Sequence, residues 1–160
     1  MLEKPMSTGT SYLKLENGDT KIRIVSEIIS GWECWIEVDG NRKPVRNAER
    51  YKALELDEMG VKGRQQKQFY AAIIWNYNSD KYECMVVTQS TIKQPIYNAT
   101  VDPDWGDHTG YDFIITRTGQ ELQTAYTVMP KPPSDFHLDT SDLIYSLEEL
   151  YKGGNPLGDD

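Results

Sequence analysis

Between positions 40 and 70 the chain carries eight cations (Arg42, Lys43, Arg46, Arg50, Lys52, Lys62, Arg64 and Lys67) against four acids (Glu49, Glu55, Asp57 and Glu58). Cations at that density suit the tracking of a phosphate backbone, provided flat side chains stand nearby for bases to stack on. Trp35, Tyr70 and Trp75 are the aromatic residues placed to serve. Tyr70 and Trp75 lie five positions apart in one apolar run, so they fall on opposite faces of a strand. Phe69, Ala71, Ile73 and Trp75 make the more apolar set, which leaves Tyr70 as the outward ring. The candidates for contact with nucleic acid are therefore Lys21, Arg23, Trp35, Lys43, Arg46, Arg50, Arg64, Lys67 and Tyr70.

A second constellation, Asp102, Asp104, Asp107, His108 and Asp112, raises the rival chemistry of a divalent metal assisting phosphoryl transfer. Its spacing departs from a calcium loop, because Gly106 stands fifth from Asp102 where the sixth position is required. Carboxylates in a Pro- and Gly-containing turn more commonly make Asx turns and helix caps. The sequence offers no nucleophile elbow, no phosphate-cradling glycine loop and no Cys/His pair at catalytic spacing. Cys34 and Cys84 sit fifty positions apart, and with only His108 and His137 beside them they lack the short spacings of a zinc finger. A non-enzymatic chain without metal or cofactor, its two cysteines buried as thiols, is the expectation.

The elements that would position these groups are short. Eight prolines, twelve glycines and ten tyrosines in 160 residues favour a β-rich domain over a helical bundle. No apolar run approaches the roughly 20 residues that span a bilayer, and residues 1–5 lack a signal-peptide pattern, so a soluble, cytoplasmic protein is expected. The net charge of −8 is unevenly spread: residues 1–130 hold 15 basic and 18 acidic side chains, and residues 131–160 hold 2 and 7. A basic middle thus faces an acidic end.

Residues 69–75 and 82–87 are apolar at nearly every position and predict a central hairpin across residues 76–80, covered on at least one face. Residues 12–16 and 20–25 alternate around Asn17-Gly18, a strong hairpin signal, with Leu13, Leu15, Ile22 and Ile24 inward and Lys14, Lys21 and Arg23 outward. Residues 31–38 make a further strand, placing Trp35 with Glu33 and Glu37 on its polar face. Residues 41–68 show no apolar period and read as a long basic loop. A short helix follows over 90–99, with Pro95 either opening it or kinking it. A second hairpin joins 111–117 to 123–129 across residues 118–120. Prolines at 130, 132 and 133 then end the strands, and Ser141 caps a short helix striped by Leu143, Leu147 and Leu150 ahead of an acidic tail.

This order of elements is that of a five-stranded OB-like barrel over residues 11–130, with one helix between its third and fourth strands. Residues 131–160 would form a Pro-rich linker, a short helix and the tail. The phrases YLKLENGDTKIRIV, FYAAIIWNYNSDKYECMVVTQSTIKQPIYN and DPDWGDHTGYDFIITRTGQELQTAYTVMPKPP resemble the single-stranded-DNA-binding replication proteins of tailed bacteriophages. The resemblance implies a helix-destabilising protein that coats single-stranded DNA in replication, recombination and repair, with self-association along the DNA. It also implies an acidic C-terminal segment that recruits replication proteins and competes with DNA; Leu143, Leu147, Leu150, Asp159 and Asp160 are the partner-binding candidates. The zinc-binding insertion of the best-known relatives has no counterpart here. A protein-interaction adaptor or virion component with the C-terminal helix as docking peptide, and less favourably a metal-dependent nuclease, are the alternatives.

Overall fold

The structure, a computed structural model, describes residues 12–158. It is mainly β: seven antiparallel strands in one unclosed sheet, with few helices. The strands are β1 (Gly18–Ile24), β2 (Ile29–Val38), β3 (Asn41–Asn47), β4 (Lys67–Asn76), β5 (Lys81–Val87), β6 (Asp112–Thr118) and β7 (Ala125–Pro130). Helix α1 (Ala53–Glu58) follows β3, and α2 (Ser90–Val101) lies between β5 and β6. The sheet runs β3-β2-β4-β1-β6-β7, with β5 on the other edge of β4. The closed five-stranded barrel expected from the sequence is thus replaced, at the level of strand pairing, by an open sheet.

β1 and β2 follow one another along the same edge of β4. Ile24 pairs with Ile74 and Ile29 with Ala71, so four intervening residues on one side face two on the other. The two extra residues form a bulge pinned by polar contacts: the Ile73 amide donates to Ser26 Oγ (2.8 Å), and His108 Nε2 lies 2.8 Å from the Ser26 carbonyl. Such a bulge bends the strand and increases its twist. Beyond it β2 leaves β4 at Glu33 and continues with β3 as a two-stranded arm. Gly31 sits at the departure point, where an added Cβ would lie 2.7 Å from the Asn47 carbonyl and 2.8 Å from the Phe69 ring.

Pairing register sorts the side chains onto two faces. The first face buries Ile22, Ile24, Ala72, Ile74, Met85, Val87, Phe113 and Ile115 beneath Ile92, Ile96 and Ala99 of α2. The 4- and 3-residue steps of that helical trio make the stripe, and Pro95 stands inside the helix, half-buried, at the cost of one backbone donor. The second face carries Phe69, Ala71, Ile73 and Cys84, and residues beyond β7 cover it: Leu143, Tyr145, Leu147, Leu150, Tyr151 and Leu157 pack there. This double cover explains why β4 is apolar on both sides. Burial pushes the Cys84 thiol up to about 12.

Three sequence expectations are corrected. Residues 13–17 form no strand, so Asn17-Gly18 closes no hairpin; the Leu13 amide instead donates to the Cys84 carbonyl (2.9 Å) and Leu13 and Leu15 lean on the first-face core. The long basic loop is in fact β3, α1 and a 3-10 turn at Lys62–Arg64, organised by a small core of Cys34, Tyr51, Leu56 and Val61. In place of a helix capped at Ser141 there is only a 3-10 segment, Leu147–Lys152, because the chain follows the sheet surface it covers.

Candidate nucleic-acid interface

The second face can be followed from end to end. At one end Arg23 is 1% exposed, and its Nε donates to Asp112 Oδ1 at 2.6 Å. Its Nη1 donates to the carbonyls of Thr109 and Ser134 (3.0 Å each), and its Nη2 to Ser134 Oγ (2.7 Å). Four of the five N–H donors of this guanidinium are committed inside the protein, as a buried charge requires. Arg23 therefore holds the C-terminal segment and is unavailable to a phosphate. The sequence placed it on the correct face; the cover over that face was the missing information. Lys21 stays exposed beside it, 3.7 Å from Asp112 Oδ2 and 4.8 Å from the Tyr77 ring centroid. Tyr77 OH donates to Asp112 Oδ1 (2.8 Å); burial first, then the carboxylate, push this phenol up to about 12.

In the middle, Trp75 lies beneath Phe136 and His137, edge-on to both and to Tyr82. Leu147 and Leu150 are 3% and 1% exposed over Phe69 and Ile73. These two leucines, with half-buried Leu143, are thus packed on their own sheet and do not form a docking stripe. Asp159 and Asp160 lie outside the described residues.

The other end of the face is open. Glu33, Trp35 and Glu37 of β2 stand opposite Arg46, Pro44 and Arg42 of β3. Trp35 is 44% exposed, and the Arg42 guanidinium carbon lies 5.2 Å from its ring centroid. A tryptophan on a polar face, flanked by a guanidinium, presents both a stacking surface and a charge. The ring lines a cleft of about 200 Å3 with Arg42, Lys62, Gln65 and Lys67. Glu33, which also borders it, is neutralised by Arg46, whose Nε donates to Glu33 Oε2 at 2.9 Å.

Three of the expected nucleic-acid residues, Trp35, Lys67 and Arg46, thus come together on one ledge, and Lys43 stands exposed on the edge strand beside it. Three do not. Arg50 lies 5.0 Å over the Trp32 ring, and Trp32 belongs to the opposite face of β2. Arg64 is exposed but makes a two-pronged contact with Asp57 (2.9 and 2.8 Å), whose carboxyl it holds below the usual range. Tyr70 is half-buried on the first face, packed on the core, with Lys93 Nζ 5.8 Å from its ring centroid. It is not the outward ring, because both faces of β4 are covered.

Arg42 and Lys62 belong to the ledge and escaped the sequence reasoning. Asp39-Gly40 was the available signal: Asp39 has φ 52° and Gly40 φ 80°, the left-handed pair that a two-residue hairpin turn requires. Folding the chain back there sets Arg42 two pairs from Trp35, on the same face.

The acidic constellation does not converge. Asp102 accepts from the Asp104 amide, Asp107 from the Thr109 amide, His108 is bound to Ser26, and Asp112 is paired with Arg23. Among the described residues no group of three or more His, Cys, Asp or Glu side chains could hold a metal ion. No helix among them is long and apolar enough to cross a membrane. The chain matches no protein-family model and no curated protein.

Proposed function

We propose that this protein binds single-stranded DNA with little sequence preference, through the open end of its second sheet face. A base stacks on Trp35 while Arg42, Lys62 and Lys67 follow the phosphates on either side of it. The observation that carries this reading is the half-exposed Trp35 ring beside three cations, in a chain whose overall charge is −8. Electrostatic attraction depends on the local arrangement of charge, so an acidic molecule can still present a cationic ledge. The ledge holds no hydrogen-bonding set matched to one base, and stacking accepts any base.

An OB-type barrel is part of the same reading. The order of pairing β5-β4-β1-β6-β7 around one apolar core, with α2 between β5 and β6, supports it. β5 and β7 are the two strands whose pairing would close the circle, and α2 packs against β7. The arm of β2 and β3 then stands where such barrels carry the loop that grips an oligonucleotide. A role in phage replication, recombination and repair follows from the resemblance of the sequence.

The test is tryptophan fluorescence titrated with oligo-dT at several salt concentrations, repeated on Trp35→Phe. The expected result is quenching that weakens steeply with salt and loses most of its amplitude in the variant. Absence of any salt-sensitive change at 20 mM salt, confirmed by gel shift, overturns the reading; unaltered binding in the presence of a chelator is expected throughout.

A further inference from the structure

The Glu33–Arg46 pair stands between two clefts. On one side lies the Trp35 ledge; on the other, at the outer edge of β3, a larger cleft of about 500 Å3 opens between residues 43–46 and residues 150–154, with Tyr12 on its floor. Arg46 lines the second cleft, while its Nε is committed to Glu33. Its guanidinium lies 5.9 Å over the Phe69 ring and its side chain is 14% exposed. Among the contacts of the described residues no hydrogen bond engages its two terminal nitrogens, which leaves them as donors for an anion reaching the cleft.

The walls of this cleft are cationic and aromatic. Lys43, exposed on the face of β3 opposite Arg46, lines the cleft from the strand edge, and Lys152 is 70% exposed on the opposite wall. Tyr12 and Tyr151 are half-buried beneath them. Two acids approach: Glu33, already engaged by Arg46, and Glu149, 3.8 Å from Lys152. Exposed pairs of the second kind contribute little and are readily exchanged for another anion. The remaining uncompensated charge is positive, as on the first ledge.

We propose that the binding track continues from Trp35 across Arg46 into this second cleft, which receives the next stretch of a single-stranded DNA backbone. The inference rests on the reading of the ledge as a single-strand site and extends it in length and in residues: Lys43 and Lys152 grip phosphates, and Arg46 spans the crossing. Glu33 is a positioning residue, since it fixes the direction of the Arg46 guanidinium without touching DNA. The strand runs over the end of the arm and down toward the C-terminal segment. The footprint is then longer than one stacked base, within the roughly 4–16 nucleotides that one OB-type domain covers.

The experiment compares the full chain with Lys43→Gln/Lys152→Gln and, separately, with Trp35→Ala, using oligo-dT of increasing length at several salt concentrations. Both lysines are exposed, so the double variant keeps its fold, verified by an unchanged melting curve. For the wild type, affinity should climb with length until both clefts are filled. The double variant should stop gaining affinity at a shorter length, and its salt slope should fall by about 1.4, at roughly 0.7 per lost phosphate contact on a single strand. If the double variant keeps the wild-type length dependence and slope while Trp35→Ala binds weakly, the second cleft is idle and this inference fails alone. If the wild type binds no length of oligo-dT, the underlying reading fails and takes the extension with it.

Discussion

One face of one sheet carries two aromatic surfaces with opposite fates. Over β4 and β5, Phe69, Trp75 and Tyr82 lie under residues 131–157 of the same chain. On the arm of β2 and β3, Trp35 stands on the same face with no such cover, and a guanidinium lies beside it. The strand pattern does not distinguish the two, since each ring alternates correctly with its neighbours. What differs is the reach of the C-terminal segment, which is tied by Arg23 at Ser134 and meets β3 at residues 150–154. The covered half contributes stability; the uncovered half stays open to solvent. Cations on the face divide the same way, Arg23 bound within the protein and Arg42, Lys62 and Lys67 directed to solvent.

Removing residues 135–160 should break the comparison most severely. Leu147 and Leu150 are each worth roughly 1.5–3 kcal/mol of burial, and the apolar face beneath them would be bared as well. Unfolding or aggregation, seen as loss of a cooperative urea transition, is expected; a truncated chain with the full-length midpoint would show that the segment covers nothing of value. The same deletion therefore cannot isolate competition between tail and DNA. Neutralising only Asp159 and Asp160 can, and a modest tightening of oligo-dT binding is the outcome that competition requires.

Next in size is Arg23→Gln, which strips buried Asp112 of its closest charged partner and leaves it Tyr77 and the more distant Lys21. A loss of about 3–5 kcal/mol in urea unfolding is expected. If the loss stays below about 1 kcal/mol, Arg23 is not the tie between sheet and segment.

Trp35→Ala should do the reverse, changing stability by no more than about 0.5 kcal/mol while costing roughly 1–3 kcal/mol of oligo-dT affinity. Equal losses in both measurements would make Trp35 a packing residue and erase the contrast.

High pH should weaken the covered half. The thiol of Cys84 is raised from 9.0 to about 12 by burial, and Tyr77 from 10.0 to about 12 by burial and by its bond to Asp112. A raised folded pKa means stability is complete below the unfolded value and is lost as pH climbs through the folded one. Melting temperature should therefore hold to about pH 9 and fall between pH 9 and 12, and Tyr77→Phe should shallow that fall. The smallest effect is Lys67→Gln, expected to reduce the salt slope of binding by about 0.7 with stability unchanged.

The parts legible in the sequence were those with dense apolar code. The β4–β5 hairpin was readable from residues 67–87, and the β6–β7 hairpin and α2 were placed within a few residues. β3 was hidden because its residues, NRKPVRN, are charged or polar at all but two positions, so no period of two could register. Asn17-Gly18 misled because a turn signal says nothing about whether the preceding segment finds a partner strand. The C-terminal leucines showed helical spacing, yet they answer to the sheet they cover, and a tertiary surface overrides local preference. For the ledge, alternation assigned strand sides to Trp35, Arg23 and Tyr70 alike, yet only Trp35 is left exposed on its side. Alternation names the side of a strand, whereas exposure depends on what lands on that side.

The grip of Arg23 on Ser134 joins residues 111 positions apart. Every strand of the sheet is synthesised before the residues that seal it. At roughly 5–20 residues per second, a nascent chain exposes Phe69, Ile73, Trp75 and Tyr82 for between about one and five seconds after β7 is complete. During that interval the molecule is at its stickiest, so its yield in cells should respond to trigger-type holdases even though the finished fold has no need of them.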